Sequence, residues 1–117
     1  MNDNYKIELD LFSGQQNPSF QITRNEFESI LNEINKLEES EPIQLFDGLG
    51  FRGIVLSGMS SVSIHIQNRV IKVQTSEDVK FYKSNPQINL KAIDIFKTHD
   101  IDGKCKLIID KVINEYL

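Results

Sequence analysis

The chain has 117 residues, 39% of them hydrophobic and 26% charged, the size and balance of one globular domain rather than of a disordered chain or a pair of domains. Seventeen acidic residues against thirteen Lys and Arg give a formal net charge of -4, with no long block of either sign. Nucleic-acid binding, which draws most of its affinity from a concentrated basic surface, is therefore not expected.

The opening Met1-Asn2-Asp3-Asn4-Tyr5 lacks the basic-then-apolar order of a secretory signal, and no apolar run approaches the roughly 20 residues of a membrane helix. Cys105 is the one cysteine, which excludes an intramolecular disulfide and a cysteine-based zinc site and suits a reducing compartment. The expectation is a cytoplasmic protein with no membrane partner, no metal and no cofactor.

From Tyr5 to Leu11, the apolar residues Tyr5, Ile7, Leu9 and Leu11 alternate with Lys6, Glu8 and Asp10, the period-two pattern of a strand with one buried face. Ser13-Gly14-Gln15-Gln16-Asn17-Pro18 ends it, because glycine admits unusual dihedrals and proline cannot donate to a ladder. Thr23-Arg24-Asn25-Glu26 has the spacing of a capping box, and Phe27, Ile30, Leu31, Ile34 and Leu37 supply the apolar stripe of the helix it opens. The run Glu38-Glu39-Ser40-Glu41-Pro42 predicts its end.

Three strands are expected next, around Ile54-Val55-Leu56, around Val62, Ile64 and Ile66, and over Val70-Ile71-Lys72-Val73, with Asn68-Arg69 as a tight hairpin between the last two. After the breaker Ser84-Asn85-Pro86, Leu90, Ile93 and Phe96 predict a short helix. A last helix opens near Asp102-Gly103, with Cys105, Ile109, Val112 and Tyr116 on one face. The order β-α-β-β-β-α-α does not alternate strand and helix. It points to one α+β domain over residues 1–117, an antiparallel sheet of about four strands with helices on one face.

Two glycine-bearing segments carry the candidate chemistry. Gly48-Leu49-Gly50-Phe51-Arg52-Gly53 is a complete Gly-x-Gly-x-x-Gly, yet Ile54-Val55-Leu56 behind it are strand formers, so the helix a dinucleotide fingerprint requires is absent. Val55 extends the match to the glycine loop of protein kinases, but no Asp-Phe-Gly segment or catalytic loop follows. What remains is a glycine-rich turn beside Arg52, either an anion cradle or a plain strand entry whose guanidinium pairs with a carboxylate. The loop after the first strand offers Asp10, Ser13 and Asn17, residues equally at home in ordinary turn chemistry.

Together, Leu9-Asp10-Leu11-Phe12-Ser13-Gly14-Gln15-Gln16-Asn17-Pro18-Ser19-Phe20 and Leu49-Gly50-Phe51-Arg52-Gly53 resemble small uncharacterised microbial proteins with a Phe-Ser-Gly-x-x-Asn-Pro opening and a Leu-Gly-aromatic-Arg-Gly segment. The resemblance implies that the two segments serve one site and implies no activity.

His65 falls on the polar side of its strand, as an exposed residue, or as a base or a ligand. Thr98-His99-Asp100-Ile101-Asp102-Gly103 imitates part of a calcium loop but lacks ligands at two positions, so a helix connection accounts for it better. Cys105 on an apolar helix face reads as a core residue. No assembled catalytic set emerges. The reading that follows is a non-catalytic inhibitor, immunity-type or regulatory module docking on a protein partner. Its alternative is a small-molecule binder or small enzyme with an anion-accepting pocket between the 13–18 and 48–53 loops, using Asp10, Ser13, Asn17, Arg52 and His65.

Overall fold

Alternation along the chain builds a sheet before it builds anything else. The computed structural model describes residues 4–12, 16–45, 50–58 and 61–116. Within them lie seven strands, β1 (Tyr5–Phe12), β2 (Ser19–Ile22), β3 (Glu39–Ser40), β4 (Gly50–Ser57), β5 (Ser63–Ile66), β6 (Val70–Gln74) and β7 (Val79–Lys83), with helices α1 (Arg24–Asn35), α2 (Pro86–His99) and α3 (Lys106–Tyr116). All seven strands join one antiparallel sheet in the order β2-β1-β4-β5-β6-β7-β3.

This corrects the expected four-strand sheet and its β-α-β-β-β-α-α order. The three extra strands are those whose sequences carry almost no alternation signal. β2 is four residues squeezed between Pro18 and the Thr23 cap, and β3 is two residues inside the acidic run expected only to end a helix. β7 buries Tyr82 alone. Each is held by a ladder to a stronger neighbour: β2 to β1, β3 to β7 and β7 to β6. The Asn68-Arg69 hairpin closes with Gln67 N–H donating to the Val70 carbonyl at 2.9 Å. Neither turn residue takes a positive φ, so no glycine is required there.

Along the central strands the pleat sends alternate side chains to opposite faces. Ile7 faces Leu56, which faces Ile64, which faces Val73, and Leu9 continues likewise through Ile54, Ile66 and Ile71 to Tyr82. These residues share one core with Phe27, Ile30 and Ile34 of α1, with Ile88, Ala92, Ile93 and Phe96 of α2, and with Cys105 and Ile109. The helices thus cover one face of the sheet. The opposite face, carrying Lys6, Glu8, Val55, His65, Lys72 and Phe81, stays half-open.

α1 begins as the capping box requires: Glu26 N–H donates to Thr23 Oγ1 at 3.1 Å, and Thr23 N–H donates to Glu26 Oε1 at 2.9 Å. Asn85 caps α2 through Gln87 N–H, with Pro86 in the first turn. The end of α2 is tied to the start of α1, since His99 Nε2 lies 2.9 and 3.0 Å from the two carboxylate oxygens of Glu26. Among the described residues no helix is long and apolar enough to cross a membrane.

Burial works to raise the pKa of Glu26, but hydrogen bonds from Thr23 and the His99 ring prevail and hold it below the ordinary value of 4.5. A carboxylate depressed in the folded state contributes stability that is present above its unfolded pKa and lost as pH falls through its folded pKa. Glu26→Gln, which keeps the cap but removes the charge, is expected to be less stable than the parent at pH 6 and to converge on it as pH falls through the depressed folded-state pKa of Glu26. Chemical denaturation of both proteins across that range checks the expectation.

Candidate functional site

The centre of the candidate site is a break in the β1–β4 register. Leu9 faces Ile54 while Leu11 faces Phe51, so one residue of β1, Asp10, stands opposite two of β4, Arg52 and Gly53. This is a β-bulge, and its effect is to re-aim a side chain. Ile54 and Leu56 point into the core, so strict alternation would send Arg52 inward as well. The extra residue puts it instead on the open face beside Asp10, where Arg52 Nη2 donates to Asp10 Oδ1 at 3.0 Å. The pair is mostly buried, with side-chain exposures of 27% and 15%.

Gly53 makes the bulge possible. Its φ is +119°, a conformation that residues with a Cβ rarely adopt, and a Cβ there would come within 2.5 Å of the Ile66 carbonyl oxygen. The bulge also exposes the Arg52 carbonyl to two side chains of β5 and its turn: His65 Nε2 and Gln67 Nε2 each lie 2.8 Å from that oxygen. A carbonyl only accepts, so both nitrogens donate. His65 in its neutral form is thereby held as the Nε2–H tautomer, leaving Nδ1 as its acceptor. Asp10 Oδ2 is 3.8 Å from His65 Nε2, too far for a hydrogen bond.

Asp10, Arg52 and His65 therefore meet on the open face of the sheet. Asn17, in the connection between β1 and β2, does a different job. Its Oδ1 accepts from Leu11 N–H at 2.9 Å and its Nδ2 donates to Glu8 Oε2 at 2.7 Å, folding the connection back onto β1. Lys6 Nζ approaches the other oxygen of Glu8 at 3.3 Å. Ser13 lies outside the described residues, as do Gly48 and Leu49. The other four residues of the glycine motif are strand rather than loop: Gly50, Phe51, Arg52 and Gly53 all belong to β4. Its third glycine serves the bulge and not a phosphate cradle.

Gln67 and Glu8 are members that sequence reasoning did not select. Gln67 had a readable signal, because it continues the Ser63, His65 alternation onto the open face, yet it is only 7% exposed. Glu8 carried the same parity as Asp10. Gln67 becomes informative only once the bulge presents the Arg52 carbonyl to β5.

The chemistry this arrangement can perform is limited by its own pairing. The Arg52 charge is compensated by Asp10, and His65 uses one nitrogen to hold backbone. Cys105 sits in the helical layer on the other side of the sheet, where burial first, and the Asp100 carboxylate second, raise its thiol pKa above the ordinary range. It is neither near His65 nor poised as a thiolate. Among the described residues no cluster of three or more His, Cys, Asp or Glu could hold a metal ion. The calcium-like segment is a helix connection: Asp100 ends α2, and its Oδ2 accepts from Cys105 N–H at 2.9 Å. Comparison with protein-family models, with curated proteins and with solved structures finds no match to this chain.

Gly53→Ala is expected to destabilise the fold by about 2–3 kcal/mol, since backbone strain adds to the clash with Ile66. Gly103, whose φ is +67° with nothing within 4 Å of the place a methyl group would occupy, provides the comparison. Gly103→Ala bears the strain alone and should cost about 1 kcal/mol. Urea unfolding midpoints of the two variants give the difference directly.

Proposed function

We propose that this protein is a non-catalytic binding module, of the inhibitor, immunity or regulatory kind, that docks on a protein partner through the uncovered face of its sheet. The single observation supporting the reading is the state of the polar groups on that face. Asp10, Arg52, His65 and Gln67 are bonded to one another or to backbone, as are Glu8 and Asn17. Groups arranged in this way present a chemically patterned surface whose polar side chains are already positioned.

The pattern runs across the strands. Ser19, Glu8, Val55, His65, Lys72, Phe81 and Ser40 are successive partners in one cross-strand row from edge to edge. Acid, aliphatic, imidazole, cation and aromatic groups are thus displayed in a fixed order, which is how an interface obtains register and selectivity. A small-molecule pocket using Arg52 for an anion is less well supported, because Asp10 already neutralises the guanidinium. The lone, buried cysteine goes with a reducing, cytoplasmic setting.

A photo-crosslinking residue placed at Lys72 or Phe81, in the protein's native cells, is expected to give a discrete adduct with one protein. The same residue at Asp94, on the exposed side of α2, is expected to give none. Val55→Asp, introduced into the Lys72 probe, should lower adduct yield about tenfold while leaving the circular dichroism unchanged. Adducts from Asp94 alone, or adducts indifferent to Val55→Asp, would refute the proposal.

A further inference from the structure

The two edges of the sheet are built differently. At the β7 and β3 edge, the partner strand is two residues long and the flanking positions carry Lys80, Lys83, Glu39 and Glu41, the usual means of blocking strand addition. At the other edge, β2 reads Ser19-Phe20-Gln21-Ile22 with no charge, and among the described residues it pairs only with β1.

The direction of its free backbone groups follows from the ladder. Leu9 N–H donates to the Pro18 carbonyl, and Ile7 faces Phe20 while Tyr5 faces Ile22. Alternation then turns the N–H and C=O of Phe20 and Ile22 toward β1, and those of Ser19 and Gln21 away from the sheet. Two donors and two acceptors face outward from a strand with no charged side chain, and among the described residues nothing but β1 pairs with it.

We infer that β2 is a self-pairing edge, and that two copies of this chain join there antiparallel about a two-fold axis at Phe20. In that register Ser19 of one copy stands opposite Gln21 of the other, and they exchange four backbone hydrogen bonds, using every outward group of the strand. The neighbouring two-fold registers are poorer. Centring on Gln21 would pair Ser19 with Thr23, whose N–H and C=O are already engaged by Glu26 and Phe27. Centring on Ser19 would pair Gln21 with Asn17, outside the strand. With the axis at Phe20, like faces of the two sheets align, and Phe20, which stacks edge-on against Phe96 at 4.9 Å, meets its own copy on the helical side. The inference is independent of the docking function proposed for the open face, and it would make that face continuous across two copies.

The test is solution mass by light scattering and sedimentation over a concentration series of the full chain, reaching ~1 mM. The parent is expected to dimerise. Gln21→Pro deletes an outward N–H while the β1 ladder keeps those of Phe20 and Ile22, and should weaken the dimer at least about tenfold. Ser19→Lys with Gln21→Lys sets like charges opposite each other across the axis and should also give monomer. Ser19→Lys with Gln21→Glu sets opposite charges there and should restore the dimer. Unfolding midpoints establish that each variant is folded, and the Pro variant stands if the double-lysine one is not. A parent that stays monomeric throughout, or a dimer unmoved by Gln21→Pro, overturns the inference.

Discussion

One extra residue in β4 organises the open face of the sheet. Opposite Asp10 the chain supplies both Arg52 and Gly53, and the bulge that results does three things together. It turns Arg52 away from the core to meet Asp10, it lifts the Arg52 carbonyl toward β5, and it gives His65 and Gln67 a common acceptor. Remove the bulge and the parity of β4 would aim a guanidinium at Ile54's side of the sheet, among fully buried aliphatic groups, where an uncompensated charge is very costly. Gly53 is the residue that permits the arrangement, through a backbone conformation and a close approach that a side chain would prevent.

The helical side of the sheet obeys a simpler constraint. Alternate residues of the central strands and the apolar stripes of three helices form one continuous core, fixing which face is covered. Capping at Thr23 and Asn85 sets where α1 and α2 begin, and the His99 contact with Glu26 sets how they meet. The open face inherits its rigidity from this packing below and from the hydrogen bonds of the bulge above. The docking role proposed for this face draws on that ordering, because little conformational freedom would be left to lose on binding.

Much of this could be read from residues alone, and the parts that could not have identifiable causes. The Thr23 to Glu26 spacing specified a helix start because both partners of the capping box are local. Tyr5 to Leu11 specified a strand because its alternation is complete. β2, β3 and β7 were missed because four, two and five residues with one or no buried aliphatic side chain leave no periodicity to detect. They exist through ladders to β1, β7 and β6, which are tertiary facts. Asp10, Arg52 and His65 were legible as candidates, yet their convergence rests on a register shift that no local pattern encodes. The glycine motif was misleading for the same reason: its third glycine answers to the neighbouring strand at Ile66 and not to a ligand.

The protonation pattern of His65 reports on the bulge more directly than any stability measurement. Nitrogen-15 spectra of the imidazole at a pH where the ring is neutral distinguish the two tautomers. With Nε2 donating to the Arg52 carbonyl, the ring should be held as the Nε2–H form, with Nδ1 unprotonated. A dominant Nδ1–H tautomer would mean that His65 does not donate to the Arg52 carbonyl, and that the bulge does not assemble the site described.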